Sequence, residues 1–468
     1  MKISNTEVVL LKNKPLSRSE REKSTQEAQE TQEAQARKPD DYSIFIRITG
    51  EYDGAPLIGL GEARPTRASG ESLNSTLRYA RKMARRLIGK QLDFTSQAPI
   101  EHVNDIVQNV IGDIFGISGN GASQQRPSPT VCFATECALL DLIAKKRGIS
   151  VAQLTSSDKP VAVERNVYND PLKNPERLIR SIAKGKQVSG WIRRGKRITG
   201  KDASALVNSL LFALSNNTHD LNGIILNAGQ RWSTDEWNNF CAEVALTGLA
   251  AKQNVKIIVE DPFQEAADAF YQQAFAKMEG TPVSIMLSKP VWGRESISRL
   301  ALYLPHVELK ITPQKAGGYH EVLEAEKEAE QHGFKGGIFL AGVNGTTNLN
   351  TIAMVSLASA MRFNRYFSTS FKKEGKTRLV YPCVTLENSK LQIPEGPGFA
   401  TNLCRSGVRK RSIELFAYSD KGRTSKREVR KALLESTYDD RFINRDLAEQ
   451  ERYSYSDKAL EATLNSNH

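Results

Sequence analysis

Four short apolar runs follow one another between Leu221 and Gly318, and they are Gly223-Ile-Ile-Leu-Asn227, Val255-Lys-Ile-Ile-Val-Glu260, Val283-Ser-Ile-Met-Leu-Ser288-Lys289 and Val307-Glu-Leu-Lys310-Ile-Thr312. Each run stops at polar residues. Segments with helical periodicity separate or follow them, such as Thr234–Lys252 and His320–His332. Short apolar strands that alternate with helices predict a parallel sheet wound by crossover connections.

The polar residues at the ends of these runs are the candidates for function. In barrels of parallel strands, functional side chains lie where the strands end. The residues at those positions are Asn227, Glu260, Ser288, Lys289, Lys310 and Thr312.

Motifs around these strands occur in a recognisable order. They are Gly59-Leu-Gly-Glu62, Ala138-Leu-Leu-Asp141, Asn227-Ala-Gly-Gln-Arg-Trp232-Ser233, Glu260-Asp-Pro262, Gly317-Gly318 and Pro394-Glu-Gly-Pro-Gly398. Together they span roughly residues 1–404. Their order resembles the enolase superfamily, in its muconate-lactonizing, mandelate-racemase and methylaspartate-ammonia-lyase branches.

The resemblance implies an α/β fold with an N-terminal α+β capping domain and a modified (β/α)8-type barrel. We place the capping domain at residues 1–130, with a mobile loop at 16–41, and the barrel at residues 131–380. Residues 381–404 are interpreted as a return segment to the capping domain. Residues 405–468 are interpreted as a basic extension. Within it, residues 405–431 hold ten Lys or Arg against three acids, which suits a flexible arm or short helices.

The expected metal site departs from the family pattern. Family members hold one divalent ion, usually magnesium, with carboxylates from three successive strands. In this chain those positions are Asn227, Glu260 and Ser288-Lys289, so only Glu260 is a carboxylate. Magnesium requires hard oxygen ligands in near-octahedral geometry. We therefore expect no tight magnesium site, and magnesium is the only cofactor that the resemblance implies.

The proton-transfer positions of the family also differ. The Lys-x-Lys of the second barrel strand falls on Trp191-Ile192-Arg193, and arginine stays protonated in proteins. The lysine of the sixth strand falls on Thr312. Lys310 lies two residues earlier, on the same face of the strand and one layer deeper. Asn344 lies near a motif of the ammonia-lyase branch.

Three interpretations of function remain open. The first is an enzyme of the resembled family, a lyase, racemase or isomerase that removes the proton beside a carboxylate. The second is an altered enzyme without metal, in which Lys289, Arg193 and Lys310 are catalytic cations that hold the carboxylate and the enolate charge. The third is a non-catalytic protein that binds carboxylates or other anions. In each, Arg193, Asn227, Thr312 and Asn344 are the predicted substrate-binding residues.

The composition of the chain limits the number of domains, the location and the partners that these alternatives allow. The chain has 468 residues, 39% of them hydrophobic, which suffices for two or three domains. It has no apolar run long enough for a bilayer, and its five cysteines lack metal-ligand spacing, so we expect a cytoplasmic protein. The expected partner is a small carboxylate or other anion, and we expect a homo-oligomer.

Two basic segments accompany a net charge of +12. Arg193-Arg194-Gly-Lys196-Arg197 is consistent with an anion site at the barrel mouth or with a basic surface loop. Residues 72–90 carry cations at helical spacing, which is typical of a solvated helix face. We therefore expect neither a nucleic-acid partner nor a membrane.

Overall fold

The fold is described from a computed structural model of the chain. The structure describes residues 1–12, 42–52, 54–65, 70–116, 128–155, 175–184, 189–215, 219–264, 268–343, 347–362, 364–368, 379–382, 384–387, 390–392, 394–405, 408 and 411–419.

Strands and helices alternate through the central part of the chain. The strands are β1 (Ile3–Lys12), β2 (Tyr42–Tyr52), β3 (Ala55–Ala63), β4 (Ser189–Arg197), β5 (Asp220–Asn227), β6 (Lys256–Glu260), β7 (Val283–Leu287), β8 (Val307–Ile311), β9 (Ile338–Ala341), β10 (Asn364–Ser368), β11 (Val380–Tyr381), β12 (Thr385–Glu387), β13 (Lys390–Gln392), β14 (Asn402–Leu403) and β15 (Ser412–Ser419). The helices are α1 (Leu73–Leu87), α2 (Pro99–Phe115), α3 (Pro129–Arg147), α4 (Val151–Thr155), α5 (Pro175–Ala183), α6 (Gly200–Leu214), α7 (Thr234–Thr247), α8 (Leu249–Lys252), α9 (Asp268–Met278), α10 (Arg294–Arg299), α11 (Pro313–Ala316), α12 (Tyr319–Gln331) and α13 (Asn348–Ala358).

The predicted parallel sheet is confirmed. Seven strands pair side by side in the order β10, β9, β8, β7, β6, β5, β4, and every neighbouring pair is parallel. This curled sheet forms a half-barrel with helices on its outer side. The expected loop at 16–41 lies outside the described residues.

The inside of the half-barrel has three layers, because side chains alternate between the two faces of each strand. The middle layer is a separate apolar cluster of Trp191, Ile225, Ile258, Met286 and Phe339. On one side of it, at the start of the strands, Lys256 pairs with Glu308. On the other side, where the strands end, the charged residues described below converge.

The capping sheet packs closely on helix α3. Methyl groups at Gly59 and Gly61 of β3 would overlap the carbonyl groups of Ala138 and Ala134, so glycine allows this close approach. Glu62 lies between Gly61 and Ala63 on the opposite face of β3 and is buried. Its carboxylate accepts hydrogen bonds from the backbone N–H and the hydroxyl of Thr347, which caps helix α13.

The interpretation of the C-terminal extension as a flexible arm or short helices is wrong for Ser412–Ser419. These residues form β15, which pairs antiparallel with β1 from Asn5 to Leu11 and makes the edge of the capping sheet in the order β15, β1, β2, β3. The strand forms because its apolar residues can cover an edge that would otherwise be open.

One smaller difference has a local cause. The expected helix Thr234–Lys252 ends at Thr247, because Gly248 adopts a left-handed conformation and terminates it. The described cysteines, Cys132, Cys137, Cys241 and Cys404, are buried free thiols. No helix in the described part of the chain is long and apolar enough to cross a membrane.

Candidate functional site at the barrel mouth

A buried carboxylate lies between two cations where the barrel strands end. Glu260 is the last residue of β6 and is 4% exposed. Its Oε1 accepts a hydrogen bond from Nζ of Lys310 on β8 at 2.6 Å. Its Oε2 accepts one from the guanidinium of Arg193 on β4. Both carboxylate oxygens are therefore occupied by charged donors. We call Arg193, Glu260 and Lys310 the inner triad.

Burial and the neighbouring charges act in opposite directions on these groups. Burial alone raises the pKa of Glu260, but Arg193 and Lys310 outweigh it and lower that pKa from 4.5 to about 2. Burial lowers the pKa of Lys310, and Arg193 adds to this, while Glu260 opposes it. The lowered pKa of Glu260 and the lowered pKa of Lys310 are consistent with each other. Glu260 has two cations beside it, whereas Lys310 has one carboxylate and one cation.

Asp261 joins the ends of two strands. It adopts a left-handed conformation with φ 48°, which is uncommon for a residue other than glycine. Its carboxylate accepts backbone hydrogen bonds from Ser288 at 2.8 Å and from Lys289 at 3.2 Å. Burial, followed by the charge of Glu260, raises its pKa to about 6. The sequence showed Asp261 only as part of a motif, without this role.

A second group of cations surrounds the mouth. Lys289 is exposed, and its Nζ donates hydrogen bonds to Oε1 of Gln230 at 2.7 Å and to the carbonyl of Gly229 at 3.4 Å. The side chain of Arg197 also packs against Gly229, where it would meet a Cβ. Lys315 donates to the carbonyl of Lys289 at 2.7 Å. We call Arg197, Lys289 and Lys315 the rim cations.

The structure brings together only part of the predicted set of site residues. Asn227 pairs in register with Glu260 at the end of β5. Ser288 follows β7 and is half-buried, and Thr312 precedes helix α11 one layer outward from Lys310. Lys289 lies on the rim, not inside the mouth. Asn344 lies outside the described residues.

The inner triad does not fit a magnesium ion. Both oxygens of Glu260 already accept hydrogen bonds from cations, and an ion beside them would be repelled by Arg193 and Lys310. The neighbouring positions supply an amide at Asn227 and a hydroxyl at Ser288. Within the described ranges, no three residues of His, Cys, Asp or Glu form a group suited to a metal.

We therefore predict that the purified chain does not hold magnesium tightly. After incubation with excess magnesium and removal of free ion, metal analysis should find far less than one ion per chain. The matched sample is the Glu260→Gln variant. One ion per wild-type chain that disappears in this variant would contradict the prediction.

Solved structures share this fold at low sequence identity. A dipeptide epimerase from Cytophaga hutchinsonii, complexed with Mg and the dipeptide D-Ala-L-Val, matches with a TM-score of 0.60 and 15% identity, over 89% of this chain and 100% of that chain. A muconate cycloisomerase variant matches with a TM-score of 0.61 and 15% identity, over 88% of this chain and 100% of that chain. The L-Ala-D/L-Glu epimerase from Bacillus subtilis matches with a TM-score of 0.59 and 20% identity, over 85% and 98%.

These matches cover both the capping sheet and the barrel. The chain has the two-domain fold of the enolase superfamily. The resemblance seen in the order of the sequence motifs is thus confirmed as a shared fold. No family model and no curated protein matches the sequence. Since one fold can carry unrelated activities, the enolase-superfamily fold gives the place of the site, and the residues there must carry the argument on function.

Proposed function

We propose that the barrel mouth binds a small carboxylate on fixed side-chain cations, without a tightly held magnesium ion. The observation that carries this proposal is the inner triad, in which Arg193 and Lys310 already hold one carboxylate, that of Glu260. Guanidinium and ammonium groups at a buried strand end are suited to carboxylates, because charge-assisted hydrogen bonds are strong there.

The charge balance of the mouth supports an anionic ligand. The inner triad and the rim cations together contain five positive groups, and Glu260 and Asp261 supply two carboxylates. With all seven groups charged, these residues carry a net charge of +3. Such a site attracts an anion and repels a cation. Asn227 and Thr312 can add neutral hydrogen bonds that orient the ligand.

A reaction is favoured by one further observation, the lowered pKa of Lys310. A buried lysine of lowered pKa is suited to act as a general base. Lys310 is a cation in the resting site, and in the proposed reaction the deprotonated fraction of its Nζ takes the proton from the carbon beside the carboxylate. The electron pair left behind forms an enolate, and Arg193 stabilises its charge, with Lys289 on the rim. Return of a proton to the enolate completes a racemisation or isomerisation. Loss of a group from the neighbouring carbon completes a lyase reaction instead.

Binding and reaction can be tested separately. We expect small carboxylates to raise the melting temperature of the wild type, less so that of Lys289→Met, and not that of Lys310→Met. Lys256→Met is the matched control, because Lys256 lies at the opposite end of the barrel and should leave the response unchanged. If no acid in a broad panel stabilises the wild type, or if Lys310→Met responds equally, the binding proposal is wrong.

For the reaction, the acids that bind are incubated with the protein in heavy water. Proton NMR should show exchange of the hydrogen beside the carboxylate with wild type and none with Lys310→Arg, which keeps a cation for binding but cannot act as a base. Exchange that persists in Lys310→Arg would contradict the role of this lysine as the base. Binding with no exchange in the wild type would support the non-catalytic alternative.

A further inference from the structure

Helix α1 carries five cations on one exposed face. At 100° per residue, positions 78, 81, 82, 85 and 86 fall within an arc of about 140°. The opposite face lies in the core of the capping domain and includes Leu77, Met83 and Leu87. We call the exposed group the basic face, and its members are Arg78, Arg81, Lys82, Arg85 and Arg86.

No member of the basic face forms an ion pair with a carboxylate among the described residues. Helix α1 contains no Asp or Glu. Asp113 on the adjacent helix α2 pairs with Lys90, and Arg86 acts on it only from a distance, adding to the lowering of its pKa by Lys90. Other surface cations do have such partners, as Arg294 has with Glu328. Like charges four residues apart on a helix repel each other and destabilise it. The cluster therefore lowers the stability of the helix that carries it.

One member of the basic face is held in place by β15. The guanidinium of Arg81 lies over the ring of Phe416 at 4.0 Å from its centroid. Its Nε donates a hydrogen bond to the hydroxyl of Tyr418 at 3.3 Å. Arginine stacked on an aromatic ring loses less conformational freedom when it meets a ligand. The face is thus partly ordered in advance of binding.

We propose that the basic face binds the phosphate backbone of a nucleic acid. Four of its five cations are arginines, which pair with phosphate bidentately. The five cations span positions 78 to 86, which are eight steps of 1.5 Å or about 12 Å along the helix. A nucleic-acid strand rises about 3.4 Å per phosphate, so the face matches about three or four successive phosphates. The contacts reach phosphates only, so binding does not depend on base sequence.

An acidic membrane fits the same surface less well. Helices that lie on membranes insert an apolar face between the lipids. The apolar face of α1 is already buried in the capping domain, and its exposed positions carry only Asn, Ser, Arg and Lys. From sequence alone, the helix was expected to be merely solvated. The shared exposed face, the missing carboxylate partners and the anchored Arg81 favour a phosphate backbone.

The test compares two variants of the full chain that lose the same charge. The first carries Arg78→Gln, Lys82→Gln and Arg85→Gln, which leaves Arg81 on Phe416. The second carries Lys252→Gln, Lys277→Gln and Lys335→Gln, three exposed lysines outside the basic face. Binding of a short labelled DNA duplex and of the same single strand is measured by fluorescence anisotropy at several salt concentrations. Vesicles rich in phosphatidylserine form a further arm.

We expect wild type and the second variant to bind both DNAs with a steep salt dependence. The first variant should lose affinity, and its slope of log affinity against log salt should fall by about two to three, near 0.9 for each lost duplex contact. Its melting temperature should stay the same or rise, because repulsion within the helix is relieved. Equal losses in both variants, no salt-dependent binding by wild type, or binding to vesicles but not to DNA would each overturn the proposal.

Discussion

Glu260→Gln should destabilise the chain by about 3–5 kcal/mol at neutral pH, as expected when a buried ion pair loses one partner. The substitution removes the negative charge between Arg193 and Lys310 and leaves two cations close together in a buried site. Glutamine has nearly the same shape, so packing changes little. The free energy of unfolding, measured by urea denaturation of wild type and variant, gives the effect.

The matched control is Glu308→Gln at the other end of the barrel. Glu308 also faces the barrel interior and pairs with a lysine, but the side chain of that lysine, Lys256, is 46% exposed. Water can therefore solvate the cation that remains, and the loss should be clearly smaller, about 1–2 kcal/mol. Equal losses in the two variants would show that the inner triad is no more buried than a surface pair.

The destabilisation should also depend on pH. The folded-state pKa of Glu260 is about 2, below its ordinary value of 4.5, so the folded state binds fewer protons between these values. The contribution of Glu260 to the free energy of unfolding is present in full above pH 4.5 and is lost as the pH falls toward 2. The difference in the free energy of unfolding between wild type and Glu260→Gln should therefore become smaller as the pH falls from 4.5 toward 2. A difference that stays constant from neutral pH to pH 3 would contradict the assigned pKa.

Removal of the chain from Ser412 onward should destabilise the fold by at least about 3 kcal/mol. The truncation deletes β15, and β1 then becomes an open edge with unpaired backbone groups. Each lost inter-strand hydrogen bond costs about 0.5–1.5 kcal/mol, and loss of the apolar packing that Phe416 and Ala417 contribute adds to this. Thermal unfolding should show a lower melting temperature and a tendency to aggregate.

A chain that ends after Ser419 is the control for this truncation. It keeps every residue of β15 and removes the same C-terminal residues beyond it. It should unfold with the same cooperativity and nearly the same midpoint as the whole chain. If both truncated chains are equally stable, β15 contributes nothing to the capping sheet.

The barrel strands were predictable because their signal is local. Runs such as Val283–Leu287 are apolar, short and bounded by polar residues, as buried parallel strands are. The position of β15 was not predictable in this way. Its partner β1 lies about 400 residues away in sequence, and the cations around Ser412–Ser419 dominate the local composition. A strand whose partner is distant in sequence is not identified by the residues of its own segment.

In the candidate site, too, the positions of residues along the chain were predictable but their contacts were not. The positions of Glu260 and Lys310 near the strand ends followed from where the apolar runs stop, and that of Arg193 followed from the family resemblance. Their contacts did not, because Lys310 reaches Glu260 across the intervening strand β7. The place of Lys289 on the rim did not follow either, because β7 ends at Leu287 and the next residues follow the hydrogen bonds to Asp261 instead. Side-chain reach and loop geometry are tertiary properties that a pattern of residue types does not contain.

Calorimetric titration of a stabilising carboxylate, carried out once with a chelator and once with magnesium, distinguishes binding by fixed cations from binding by a metal. We propose that fixed cations, and not a metal, hold the anion at the barrel mouth. The predicted result is the same affinity in both solutions for wild type and no measurable binding for Lys310→Met. Binding that requires magnesium and survives Lys310→Met would contradict the proposal.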